Sequence, residues 1–218
     1  SKEYYSIPSG THEGLRDLWF EALNEDASNP KFGWIDIDNP AKLSEKEVKA
    51  VVKNISMQLE KAERKHIIMF SGRGYHIWFA PRDGERFNYA TDIKNIAETY
   101  GAKAGAWVGA SAPYQKAAIA KQLVYVDTSV YKKNQKLPFF FGMHFKESIE
   151  HSTGLVRVPV KRSELSGFNP LVDAHPQIVL ERFTELKARV DMFCQLVEMG
   201  EGFPFRDKGY PCYRTARS

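Results

Sequence analysis

Cysteine is nearly absent from this 218-residue chain: Cys194 and Cys212 stand apart and form no C-x-x-C pair. That argues against a disulfide framework and against a zinc knuckle, which needs more thiolates close together. Long apolar runs are missing too. No stretch approaches the roughly 20 residues needed to span a bilayer, and no signal-peptide pattern opens the chain, so the expected location is cytoplasmic, or nucleoid-associated in a prokaryote. Neither sign of charge dominates. With 31 Lys and Arg against 27 Asp and Glu the net charge is +4 and the pI about 8.9, a mildly basic balance that permits a nucleic-acid partner without requiring one. Internal repeats, low-complexity tracts and linkers are lacking as well, so residues 1–218 are expected to form a single domain.

What the chain has instead is a short acidic strand. Trp34-Ile35-Asp36-Ile37-Asp38 is followed by Asn39-Pro40, and proline ends a ladder while restricting the residue before it. Side chains alternate faces along a strand, so Asp36 and Asp38 share one surface about 6.5 Å apart at their Cα atoms. Two carboxylates at that spacing can converge on hard cations about 3.5–4 Å apart, the arrangement of two-metal phosphoryl-transfer sites. An isolated D-x-D is short and common, and its plain meaning is a solvent-facing strand edge.

The neighbouring periodicities give that strand a setting. Residues 12–24 show a helical pattern with Thr11 as N-cap. Ser44 and Glu47 have capping-box spacing ahead of Val48, Val51, Val52, Ile55, Leu59 and Ala62, an amphipathic helix. Residues 66–70 and 75–80 read as strands around the Ser71-Gly72-Arg73-Gly74 turn. A second helix is expected over residues 88–100 with Gly101 at its C′ position. Residues 102–121 are small and ambiguous, and residues 122–127 form another strand. Further strand candidates lie at Phe139-Phe140-Phe141 and residues 154–160. A long helix follows over residues 176–199, and then a loose tail, 200–218.

Residues 33–127 thus spell β-α-β-β-α-β, the split pattern of RRM-like α+β folds, with additional strands and a long C-terminal helix around the core. Right-handed crossovers give the order 4-1-3-2 and place the acidic strand between those of His76 and Asp127. Alternation sends Ile35, Ile37, Tyr75, Ile77, Phe79, Val124 and Val126 toward the helices. Asp36, Asp38, His76, Trp78, Tyr125 and Asp127 go to the opposite, open face. Three carboxylates crowded together are costly unless cations neutralise them. Beside them, the backbone N–H groups of the Ser71–Gly74 turn can cradle phosphate while Arg73 forks onto its oxygens, and His76 faces a substrate.

The set Asp-Ile-Asp (36–38), Ser-Gly-Arg-Gly-Tyr-His (71–76) and Val-Asp (126–127) resembles the three motifs of the archaeo-eukaryotic primase superfamily, and His151-Ser-Thr-Gly-Leu resembles a further segment of primase small subunits. The resemblance covers residues 30–160. It implies template-directed nucleotidyl transfer, priming or extending with NTPs or dNTPs. Asp36, Asp38 and Asp127 would hold two divalent ions, Mg2+ or Mn2+. Ser71, Arg73, His76 and His151 would grip the incoming nucleotide. The implied partners are a DNA or RNA template–primer, nucleoside triphosphates and a helicase, ligase or large primase subunit, with no membrane. Primase small subunits commonly carry a Cys/His zinc knob, which two scattered cysteines cannot make. The alternative is a non-catalytic RRM-like module for single-stranded nucleic acid: residues 73–79 resemble its strand-3 signature, and Trp78 and Tyr125 would stack bases. A catalytically dead scaffold is the third reading.

Overall fold

The computed structural model describes residues 19–21, 32–87, 89–131, 136–138, 140–144 and 152–197. Strand β1 (Trp19–Glu21) is followed by β2 (Gly33–Asp38) and helix α1 (Glu45–Lys61). Ser44 caps α1 in a reciprocal capping box with Glu47, and Val48, Val52, Ile55 and Leu59 form its buried stripe. Strands β3 (His66–Phe70) and β4 (Tyr75–Phe79) make a hairpin, then a π-helical turn (Tyr89–Ile93) runs into α2 (Lys94–Lys103). Next come β5 (Trp107–Gly109), α3 (Ala112–Ala120), β6 (Tyr125–Asp127), β7 (Lys136–Pro138) and β8 (Val158–Val160). Helices α4 (Pro170–Asp173), α5 (Pro176–Glu181) and α6 (Phe183–Leu196) complete the described chain. None of these helices is long and apolar enough to cross a membrane.

The main sheet has the order β5-β6-β2-β4-β3-β8, and a separate two-stranded sheet pairs β1 with β7. Its four central strands are those expected from the sequence, in the expected order. The two ambiguous or irregular regions extend it at both edges. Residues 102–121 supply β5 and α3, and β5 runs parallel to β6, so the sheet is mixed. At the other edge β8 pairs antiparallel with β3.

Register sorts the faces. Ile35 lies opposite Ile77 and Ile37 opposite Tyr75 and Val126, with α1 and α2 packed over them. Gly101 of α2 shows how close this is: a Cβ there would sit 3.0 Å from Val126 and 3.1 Å from Val108. Gly101 is therefore a packing glycine inside the helix rather than its C′ residue. The left-handed conformation after the helix falls to Gly105, at φ +83°, where the absent Cβ removes the strain.

The opposite face is not open. Trp34 and Trp78 alternate onto it and are fully buried. Phe32 stacks on Trp78 at 4.7 Å, Phe140 meets Trp78 edge-on, and Phe193 of α6 meets Phe32. Tyr131 covers Trp34 and donates its hydroxyl to the Trp34 carbonyl at 2.6 Å. Two indoles side by side are too large an apolar area to leave in water. Tyr125, at 2% exposure, is no more available to a base than Trp78. The open face expected from the strand pattern is thus a second core.

Three further expectations change. Residues 19–21, placed in an N-terminal helix, form a strand; the rest of 12–24 lies outside the described residues. The helix expected over 176–199 is two, because Arg182 leaves helical geometry (φ −97°, ψ 6°) and serves as the C-cap of one and the N-cap of the next. Phe140 and Phe141 lie in a turn, not a strand, and Phe139 and the tail 200–218 are outside the described residues.

If the second core is as described, Trp78→Ala lowers stability by about 3–5 kcal/mol, the usual cost of truncating a buried large aromatic. Urea denaturation measures it. A variant as stable as the parent would restore the open-face reading.

Candidate active site

Aromatic side chains cover the part of the second face that carries Trp34 and Trp78, so chemistry is left to the part of that face around Asp36 and Asp38. Asp36 and Asp38 stand on β2 and Asp127 on β6, and Asp36 is registered directly against Asp127. One oxygen from each carboxylate lies within 4.8 Å of the others, and all three residues are half-buried. Three hard oxygen donors at this separation fit Mg2+ or Mn2+ better than any soft metal. They were expected together from alternation alone, and the structure brings them together.

On the other side of β2, His76 of β4 is registered against Asp36. Its Nε2 is 3.1 Å from Asp36 Oδ1. The ring is 6% exposed, and its Nδ1 is a buried atom without a hydrogen-bond partner. The imidazole expected to face a substrate touches the first carboxylate. That contact orients Asp36, as partners behind metal ligands do. Asp127 is fixed differently: its Oδ1 accepts the Ser129 N–H at 2.8 Å, a tight turn after β6. Tyr125 closes the base of the cluster and donates its hydroxyl to the Gly109 carbonyl at 2.7 Å. Burial first, and then the charges of Asp127, Asp38 and Asp36, push its phenol up to about 12. It stays a neutral donor at physiological pH.

The Ser71–Gly74 turn sits beside the acids because Gly74 lies against the end of β2: a Cβ there would come 2.4 Å from the Ile37 carbonyl oxygen. Ser71 N–H donates to the Gly74 carbonyl at 3.0 Å, and Ser71 Oγ accepts from Gly74 N–H at 3.3 Å. The serine hydroxyl thus shapes the turn. Arg73 at its tip is exposed, with its guanidinium available for an anion.

The sequence reading passed over His144. This buried histidine packs directly on the turn: a Cβ on Gly72, which sits at φ +102°, would be 2.2 Å from His144 Cβ and 2.6 Å from its Cγ. His144 N–H donates to Leu155 O at 2.8 Å. Thr153 N–H is shared between the His144 carbonyl at 3.2 Å and His144 Nδ1 at 3.3 Å. His151, singled out instead, lies outside the described residues. Only a contact across more than seventy positions marks His144. The nearest sequence signal is Thr153-Gly154, which turns the chain back toward it.

No family model and no curated protein matches this chain. Among solved structures it resembles the polymerase domain of ligase D from Mycobacterium tuberculosis, determined in complex with DNA. The TM-score is 0.57 at 16% sequence identity, over 83% of this chain and 61% of that one. The chain thus spans about three-fifths of that neighbour. At this identity the likeness is one of fold, and it agrees at that level with the resemblance to the primase superfamily.

Proposed function

We propose that this chain is a template-directed nucleotidyltransferase that extends or initiates a primer. One observation carries the reading: Asp36, Asp38 and Asp127 converge on one face of β2 and β6, beside the Ser71–Gly74 turn packed on the end of β2. The fold likeness to a polymerase domain that binds DNA supports it.

The reaction joins the primer's 3′-oxygen to the α-phosphorus of a nucleoside triphosphate. One P–O bond forms, the α–β anhydride bond breaks, pyrophosphate departs, and the hydroxyl proton goes to solvent. Two divalent ions held by the three carboxylates would neutralise the nucleophilic oxygen and the leaving group. The chain's own residues do the positioning. Asp36 is kept in place by His76 and Asp127 by the Ser129 amide. Arg73 pairs with phosphate oxygens as a fork, the Gly72 and Arg73 N–H groups, which the turn's own bonds do not use, are left for the same anion, and His144 adds its imidazole. A nucleic-acid-binding module without catalysis would need none of the acids.

Primer extension on a labelled template–primer, comparing NTPs with dNTPs and Mg2+ with Mn2+, tests the reading. Asp36→Ala or Asp38→Ala should abolish extension even with excess Mn2+. Near-parental extension by either variant would end the polymerase reading.

Ion binding has its own measurement. At a Mn2+ concentration 100 times Kd, the parent should gain about 2.7 kcal/mol of stability by mass action, seen as a rise in Tm. Asp38→Ala should lose that rise. In metal-free buffer it should unfold at the same temperature or slightly higher, since one of three crowded like charges is gone. An undiminished Mn2+ effect in the variant would remove the acids from metal binding.

Arg73→Ala should raise the nucleotide KM about tenfold or more, the scale of a lost hydrogen bond to a charged group. The KM for primer–template should stay within about twofold. An unchanged nucleotide KM would take Arg73 out of the site.

A further inference from the structure

His144 reaches the Ser71–Gly74 turn from a segment with little regular structure of its own. Residues 140–144 lie outside every named strand, touching residue 156 through one isolated Met143–Val156 bridge. Phe141 sits at φ +66°, a region that bulky side chains avoid unless surrounding contacts impose it. Something must therefore hold this segment in place.

Arg157 makes those contacts. Its carbonyl accepts the Phe141 N–H at 2.7 Å and its N–H donates to the Gly142 carbonyl at 2.9 Å. Its side chain then folds back, and Nη1 donates to the Met143 carbonyl at 2.9 Å. One residue thus bonds three successive residues ahead of His144. The last bond has the most consequence. The Met143 carbonyl and the His144 N–H belong to the same peptide plane, and the N–H is bonded to Leu155. With both ends tied, the plane cannot rotate, and the direction in which His144 leaves the backbone is set. The guanidinium is buried, 4% exposed, and burial pulls it down to about 10. It remains a cation at neutral pH, so its bond to a carbonyl is a charge-assisted one.

We propose that Arg157 is a positioning residue for nucleotide binding: by clamping the Met143–His144 peptide it holds the His144 imidazole on the Ser71–Gly74 turn. This rests on the reading of that turn and His144 as the grip on the incoming triphosphate. It assigns Arg157 no contact with the nucleotide. A buried arginine that merely fills the core would affect stability without a selective effect on the nucleotide.

The test is a double-mutant cycle in the full chain, with Arg157→Met, Arg157→Lys, His144→Ala and His144→Ala/Arg157→Met. Equilibrium binding of a fluorescent, N-methylanthraniloyl-labelled ATP and dATP in Mn2+ gives a Kd that does not depend on turnover. Arg157→Met should raise Kd about tenfold, Arg157→Lys about two- to threefold, and the Mn2+-induced rise in Tm should stay parental. The double variant should bind no more weakly than His144→Ala alone, because a residue acting through another adds nothing once that other is removed. In extension assays Arg157→Met should raise the nucleotide KM with kcat within about twofold.

Parental Kd in Arg157→Met overturns the proposal. So do losses that multiply in the double variant, or a Mn2+ effect lost together with nucleotide binding. If Arg157→Met fails to fold, Arg157→Lys decides: a parental Kd, or a loss that persists undiminished on top of His144→Ala, overturns it as well. A parent that binds nucleotide in the expected pattern but extends no primer would leave this inference standing and end the polymerase reading instead. A parent that binds no nucleotide ends both.

Discussion

The register of β2 between its two neighbours holds this site together. Asp36 faces His76 on one side and Asp127 on the other, and a slip of one residue in either pairing would turn the acids to the wrong face. The acids themselves offer nothing to prevent a slip, since like charges prefer to separate. What prevents it lies on the reverse of the same strands. Ile35, Ile37, Ile77 and Val126 are all fully buried, and burying each such side chain contributes about 1.5–3 kcal/mol. A slipped register would expose several of them at once. The inert face thus dictates the geometry of the reactive one.

The second core adds a different constraint. With aromatic side chains covering the face that carries Trp34 and Trp78, most of the sheet is closed to ligands on both sides. Beyond Trp34 and Trp78, Asp36 and Asp38 of β2 and Asp127 of β6 keep their carboxylates half in water. The location of the candidate site is thus set as much by what the aromatics seal as by where the acids fall. It also disposes of base stacking on Trp78 and Tyr125.

Some of this could be read from the chain, for identifiable reasons. The four central strands and the acidic cluster follow from period-two alternation and short connections, which are local properties. Alternation says which residues share a face and not what lies above that face, so the aromatic cover was missed although Trp34 and Trp78 hinted at it. The break at Arg182 was invisible because Val179, Leu186, Val190 and Phe193 keep helical spacing across it. Gly101 was read as the residue that ends the helix because its type allows it, and only its contact with Val108 and Val126 shows that it packs inside the helix instead. His144 was hidden for the same reason. Its place depends on Gly72, far away in the chain, and on strain at Phe141 that no pattern of residue types announces.

The pairing of β8 with β3 also bears on how the molecule assembles. β8 joins a strand about 90 positions earlier, whereas the β3–β4 hairpin closes across a four-residue turn. Loop closure costs more for longer loops and slows the pairing of distant strands. Topology alone therefore puts the β3–β4 hairpin first, whereas the β2–β6 pairing that brings Asp36 to Asp127 and the β3–β8 pairing both close distant loops of similar length and come later. A chain emerging from a ribosome would carry this hairpin as a template before either half of the candidate site had a partner strand to close on.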